Sequence, residues 1–200
     1  MIHNKKGFSK ELAKALLKLI IAGVFIGLLK QYDLAIAILL LVKIAYNIYQ
    51  EIIQPKTNKN WILLIGMLLT GFIGFVGETI GVSLGYWEYH HVNRHLPLWI
   101  PFAWMLAYHY LYKVEKNLIP LLKKPTKQNK LILAGLLALV LPAFGEVITI
   151  QLGVWTYYWP YQVLGVPLYA FLWLVAIHMS IFAIMNYFCK RFRINDAVYN

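Results

Sequence analysis

Six apolar runs divide the chain, at about 12–29, 33–53, 61–86, 97–115, 131–153 and 165–188. Each is close to the roughly 20 residues that a bilayer-crossing helix requires. The pattern therefore predicts an all-α, polytopic integral membrane protein with about six transmembrane helices. The first run is interrupted by Lys14 and Lys18, whose stems must carry their ammonium groups out to the headgroups. Runs one and two (residues 1–60) read as an N-terminal hairpin closed at Gln31, Tyr32 and Asp33. Residues 61–124 and 131–190 each hold two further runs, joined by the polar segment Pro125 to Lys130.

Composition agrees with this class, since 60% of residues are hydrophobic and only 14% charged. The net charge of +11 is placed rather than spread. Lys5, Lys6, Lys10, Lys14 and Lys18 open the chain, and Lys56 and Lys59 follow run two. Lys113, Lys116, Lys123, Lys124, Lys127 and Lys130 surround the loop after run four, and Lys190, Arg191 and Arg193 close run six. The alternate loops carry only Lys30 and Arg94. By the positive-inside rule both termini are expected in the cytoplasm, in a plasma or inner membrane. The same basic face is expected to contact anionic lipid. No stacking or groove-reading module accompanies the charge, so no nucleic-acid role is expected. No small-residue cleavage site follows the first run, so no cleavable signal peptide is expected. The lone Cys189 reads as a spectator thiol.

The two halves repeat one pattern. Gly77, Glu78, Gly85, Trp87, Tyr89, Pro97, Leu98, Trp104, Ala107 and His109 form the first copy. Gly145, Glu146, Gly153, Trp155, Tyr157, Pro167, Leu168, Trp173, Ala176 and His178 form the second. The offset is 68 residues from Glu78 to Glu146, 70 at Pro-Leu and 69 from Trp104 to Trp173. Each copy crosses the membrane twice, so both have one orientation. A pseudo-two-fold axis along the membrane normal is expected to bring equivalent residues face to face.

The candidate chemistry follows from that axis. Gly71, Gly74, Gly81 and Gly85 share the helical face of Glu78, and small residues of this kind mark helix contacts in lipid. Glu78 is thus expected to point into protein, and Glu146 to repeat the arrangement. Two carboxyl groups sharing a low-dielectric site titrate apart, so one site can hold a proton donor and a base together. Which glutamate plays which part stays open. Lys43, in mid-run with Asn47 one turn on, reads equally as a buried partner for a glutamate or as a snorkelling lysine. His109 and His178 are further acid–base candidates. Each follows its tryptophan by five residues, about 140° around a helix, so Trp and His cannot face one partner together. Trp87, Tyr89, Trp104, Trp155, Tyr157 and Trp173 are candidates for lining a substrate, because aromatic faces stabilise a passing cation. Many loop aromatics must also serve as interfacial anchors. His90, His91 and His95 occur in the first copy alone and read as solvated. The helical metal signatures are absent from the pattern, and no metal or cofactor is expected. Phosphate loops, dinucleotide fingerprints and nucleophile elbows are missing as well.

Glu78, Thr79, Ile80, Gly81, Val82, Gly85 and Tyr89, followed by Pro97, Leu98, Pro101 and Trp104, resemble the core pattern of the membrane carotenoid hydratase family, the bisanhydrobacterioruberin hydratase type. Glu146, Gly153, Tyr157, Leu164, Gly165, Val166, Pro167, Leu168 and Trp173 resemble it again. The similarity covers about residues 74–110 and 142–179, slightly under half of the chain. The Pro-x-Glu-Glu element of membrane lycopene cyclases is missing. The resemblance implies a helical membrane protein that adds water to a terminal double bond of a linear carotenoid. Together the residues support an intramembrane acid–base enzyme that protonates a C=C bond of an isoprenoid or carotenoid-like lipid, followed by hydration, cyclisation or isomerisation. Its partner would be a hydrophobic lipid arriving from within the bilayer. A small transporter or lipid-binding membrane protein with a duplicated polar midplane site is the alternative, and a metal-dependent lipid oxidase a third reading.

Overall fold

The computed structural model describes residues 2–56 and 59–200. Six long helices run through the described residues: α1 (Lys5–Leu28), α2 (Asp33–Ile48), α3 (Trp61–Ser83), α4 (Ile100–Leu118), α5 (Lys127–Gln151) and α6 (Leu168–Arg191). A π-helical turn, Tyr49–Ile53, extends α2, and a 3-10 turn, Ile119–Leu121, extends α4. Four two- or three-residue strands complete the structure: β1 (Trp87–Tyr89), β2 (Trp155–Tyr157), β3 (Gln162–Val163) and β4 (Val166–Pro167).

The starts of α1, α3 and α5 carry side-chain caps, which satisfy backbone donors that no helical carbonyl can reach. Asn4 accepts from the Gly7 N–H at 2.8 Å, Asn60 from Leu63 at 3.2 Å and Thr126 from Asn129 at 3.3 Å. The ends of α3 and α5 are built alike. Leu84, Gly85 and Tyr86 donate back to Ile80, Val82 and Gly81; Leu152, Gly153 and Val154 donate to Ile148, Ile150 and Thr149. This double closure needs a left-handed residue just past the helix, and Gly85 (φ 71°) and Gly153 (φ 68°) supply it without a Cβ clash.

Among the described residues, four helical segments are long and apolar enough to cross a bilayer: Asp33–Ile53, α3, α5 and α6. Two of the six expected spans, α1 and α4, are not among them. The first half of α1 is studded with lysines. For α4 the reason is composition, since His109, Lys113, Glu115, Lys116 and Asn117 lie along it. It packs most extensively on α3 and also touches α1, α2 and α5, so part of its polar face turns into protein, while Lys116 and Asn117 stay exposed. Glu115 on α4 is only 1% exposed. Outward faces elsewhere are apolar, as at Leu28, Val42, Phe72, Ile80, Val140 and Leu172. An apolar belt on that scale suits a lipid solvent.

The larger core joins Leu63, Met67, Tyr108, Tyr112, Leu118, Leu141, Ile181, Met185 and Tyr199. A smaller one lies around Ile36, Tyr89, Trp99, Ile100 and Val154. The glycines of α3 act mainly as seats for side chains. A Cβ on Gly66 would lie 2.0 Å from the Tyr108 ring, one on Gly74 2.2 Å from that of Trp104, and one on Gly81 1.8 Å from that of Trp87. Only at Gly71 does a neighbouring backbone come close, with the Pro101 carbonyl oxygen 3.2 Å from a built Cβ. The glycine face thus lets α4 lie close against α3, the most extensive helix contact in the fold, with aromatic rings set directly on bare helix backbone.

Candidate functional site

The ends of α3 and α5 meet through their following strands. β1 pairs antiparallel with β2 in the register Trp87 to Tyr157, Glu88 to Thr156 and Tyr89 to Trp155. A shift of 68 residues converts the first of these pairs into the last. The flanking bonds obey the same exchange, since His90 N donates to Val154 O and Tyr158 N to Tyr86 O, both at 2.9 Å. The ring pairs do too: Trp87 with Tyr157 and Tyr89 with Trp155 both have centroids 5.5 Å apart, at interplanar angles of 64° and 59°. A local two-fold therefore passes between Glu88 and Thr156.

Glu78, near the end of α3, is half-buried and hydrogen-bonded through both oxygens. Its Oε2 accepts from Trp87 Nε1 at 2.9 Å and from the Tyr89 hydroxyl at 2.8 Å. Its Oε1 accepts from Trp104 Nε1 at 3.1 Å. Glu146, at the matched place on α5, accepts from the Tyr157 hydroxyl at 3.0 Å. Burial first, then the Glu78 carboxyl beside it, pushes the Tyr89 phenol well above its ordinary range. Burial likewise lifts Tyr157, followed by the carboxyl groups of Glu146 and of Glu78. Each tyrosine thus senses both glutamates, which places the two carboxyl groups in one electrostatic neighbourhood. Both phenols remain donors at any physiological pH.

The other sequence candidates fall in different places. Trp155 lies tilted against Tyr89 as described, and Trp173 is 45% exposed, with its Nε1 3.6 Å from where a Cβ on Gly77 would stand. Neither indole bonds to Glu146. His178 is buried and shares a 2.6 Å hydrogen bond with Glu115 Oε1, away from both repeated glutamates. His109 is half-buried on α4 and contributes no bond to either glutamate. Trp104 and His109 face different surroundings, as their angular separation demands. Lys43 is exposed and rests 4.9 Å over the Tyr46 ring rather than on a carboxylate. His90 shares a 2.8 Å bond with Thr156 Oγ1, and His95 a 3.0 Å bond with Ser83 Oγ. Among the described residues no three His, Cys, Asp or Glu side chains gather in a metal-binding group.

Several residues of consequence carried little sequence signal. Glu115 stands amid Lys113 and Lys116 and looks like part of a solvated, charged helix end. The signal that could have found it is spacing: Tyr108, Leu111, Tyr112, Glu115 and Leu118 form one buried helical stripe. Lys30 donates to the Leu152 carbonyl at 2.7 Å and so caps α5, next to the turn that carries Gly153. Asp33 accepts from Leu98 N at 2.7 Å and pairs with Arg94 at 3.3 Å, tying the α1–α2 turn to the start of α4. Two open clefts lie away from the glutamates, one along Gln31–Ala35 and His91–Arg94, the other beside Cys189 and Asn200.

Comparison with known proteins returns no match: no family model fits the chain, and no curated protein or solved structure is significantly similar to it.

Proposed function

We propose that this chain is an intramembrane acid–base enzyme acting on an isoprenoid or carotenoid-like polyene. The observation that carries the reading is the junction of two carboxyl groups, from matched helix ends, inside one paired and aromatic-lined site. In this reading all six helices lie across the membrane with both termini in the cytoplasm, and α3–α4 and α5–α6 are two like-oriented copies. The exchange symmetry of the β1–β2 bonds supports such a pair of copies.

The reaction begins when a protonated carboxyl gives its hydrogen to one alkene carbon. The π pair forms the new C–H bond, and the neighbouring carbon becomes a cation. Indole and phenol faces stabilise that cation and keep bulk water away. Hydration ends with a C–O bond to one water, whose surplus proton returns to a carboxylate. Cyclisation or isomerisation ends with loss of a proton from an adjacent carbon instead. The resemblance of residues 74–110 and 142–179 to the carotenoid hydratase pattern favours hydration.

A carrier function is the second reading. It is favoured by the Glu115–His178 pair, a further buried ionisable station lower on the same bundle. The two are separated by expression in polyene-producing hosts with lipid profiling by mass spectrometry, using Glu78→Gln and Glu146→Gln as controls. A new polyene product, gained with the wild type and lost or strongly reduced with the variants, is expected. Unchanged lipids across several linear polyenes would rule the enzyme reading out.

A further inference from the structure

The two glutamates occupy matched positions but do not have matched partners. Glu78 accepts three hydrogen bonds from Trp87, Tyr89 and Trp104, which occupy both oxygens. Glu146 accepts one, from Tyr157 on Oε2, and no described residue donates to its Oε1. The second copy still possesses both tryptophans, Trp155 and Trp173, so the difference must lie in what they can rest against.

The glycine seats explain it. The ring of Trp87 lies where a Cβ on residue 81 would come within 1.8 Å, and that of Trp104 where a Cβ on residue 74 would come within 2.2 Å. Sixty-eight residues on, Gly81 is replaced by Thr149 and Gly74 by Pro142. Each carries a Cβ, so neither Trp155 nor Trp173 can be seated as its counterpart is. The second carboxyl loses both indole donors for a reason written in two residues.

The consequence is chemical. An indole N–H only donates, so an oxygen facing it cannot direct a proton of its own along that line. Glu78, with an indole at each oxygen, has donors on three of its roughly four lone-pair sites, an arrangement that favours the carboxylate. Glu146 has a tyrosine, which can donate or accept, and a free oxygen able to carry a proton outwards. We propose that Glu146 is the catalytic proton donor and Glu78 a fixed counter-charge that holds the resulting cation in place. This rests on the enzyme reading above. In the step, the Glu146 O–H bond breaks as the C–H bond forms, leaving Glu146 a carboxylate. The proton surrendered by the added water, or by the carbon beside the cation, restores it. Glu78 keeps its charge throughout.

The test reads protonation directly. Infrared difference spectra of the purified full chain in lipid are taken between wild type and each of Glu146→Gln and Glu78→Gln. Loss of a carboxylic-acid C=O band is expected with Glu146→Gln, and loss of a carboxylate band with Glu78→Gln. The variant Trp87→Phe/Trp104→Phe, which keeps both carboxyl groups, is expected to gain an acid band as Glu78 loses its indole donors. The reverse assignment, two carboxylate bands, or no gain in the double variant would overturn the division. In the polyene host, Glu146→Gln is expected to abolish product and Glu78→Gln to lower its rate on the order of a hundredfold. Product from Glu146→Gln at the wild-type rate would defeat the division and leave the enzyme reading standing. The expected infrared split with no product from any chain would defeat the enzyme reading, and with it the catalytic roles, leaving only the difference in protonation between the two glutamates.

Discussion

Substituting Gly81 by Ala sets two effects of opposite sign against each other. In an ordinary helix interior the change is favourable by up to about 1 kcal/mol, because glycine loses more backbone freedom on folding than alanine. Here the new Cβ would meet Trp87 Cη2 at 1.8 Å and the adjoining ring carbons at 2.3 Å. Comfortable carbon contacts need about 3.5 Å or more, so the indole must retreat by well over an ångström. It is poorly free to do so, since Trp87 is strand-paired to Tyr157. Overpacking of this kind costs about 1–3 kcal/mol. The displaced Nε1 also gives up its 2.9 Å bond to Glu78, worth about 1.5–3 kcal/mol for a charged acceptor. The net expectation is a loss of about 2–4 kcal/mol. Thermal unfolding in one detergent, followed by far-ultraviolet circular dichroism, measures it. Gly135→Ala is the control, because its Cβ would meet only Met179 Sδ at 3.9 Å and should leave stability unchanged or slightly raised. If Gly81→Ala melted at or above the wild type, or Gly135→Ala fell as far, the seating argument would be wrong.

Three further outcomes are expected. Glu115→Leu alone should cost about 3–5 kcal/mol by leaving His178 without its partner, whereas Glu115→Leu with His178→Leu should recover much of that loss in the same melts. Truncation after Arg193 should turn Cys189, only 1% exposed, from slow to rapid in maleimide labelling, because Asp196 and Tyr199 bind the tail to Tyr112 and Tyr108 at 2.7 and 2.6 Å. Alkali should destabilise the wild type more than Tyr89→Phe/Tyr157→Phe. These phenols titrate higher folded than unfolded, so their contribution is complete below the unfolded value of about 10 and is lost as pH climbs towards the folded one. Equal alkaline sensitivity in midpoint measurements would remove these two tyrosines from the account.

Much of the architecture could be read from apolar runs and from glycine placement, because length and hydropathy leave a membrane helix few alternatives. Gly85 and Gly153 announce the ends of α3 and α5 for the same local reason, a left-handed turn. What the pattern could not reveal is long-range. A three-residue strand carries too short an alternation to declare itself, and the partner of β1 lies 68 residues away. The repeat singled out Glu78, yet its three donors come from a strand and a second helix, an arrangement that spacing along one helix cannot encode. His178 was visible as a repeated residue, but its partner Glu115 has no counterpart in the second copy, where position 184 is Ile. Repetition was therefore blind to that pair. Lys30 and Lys43 were separated only by folding, since one meets the open carbonyl end of α5 and the other a tyrosine face.

The exchange of partners between β1 and β2 makes that contact isologous: each strand offers the other the same surface. Contacts of this type join identical subunits and ask nothing of a covalent bridge. The connection through Pro125 to Lys130 would then fix stoichiometry more than shape. A chain divided there into two polypeptides should reassemble through the strand pair. On the axis each residue faces its own counterpart, so a charge placed there in both copies would face itself. There Glu88 faces Thr156, and a second carboxylate would oppose the first across the ladder.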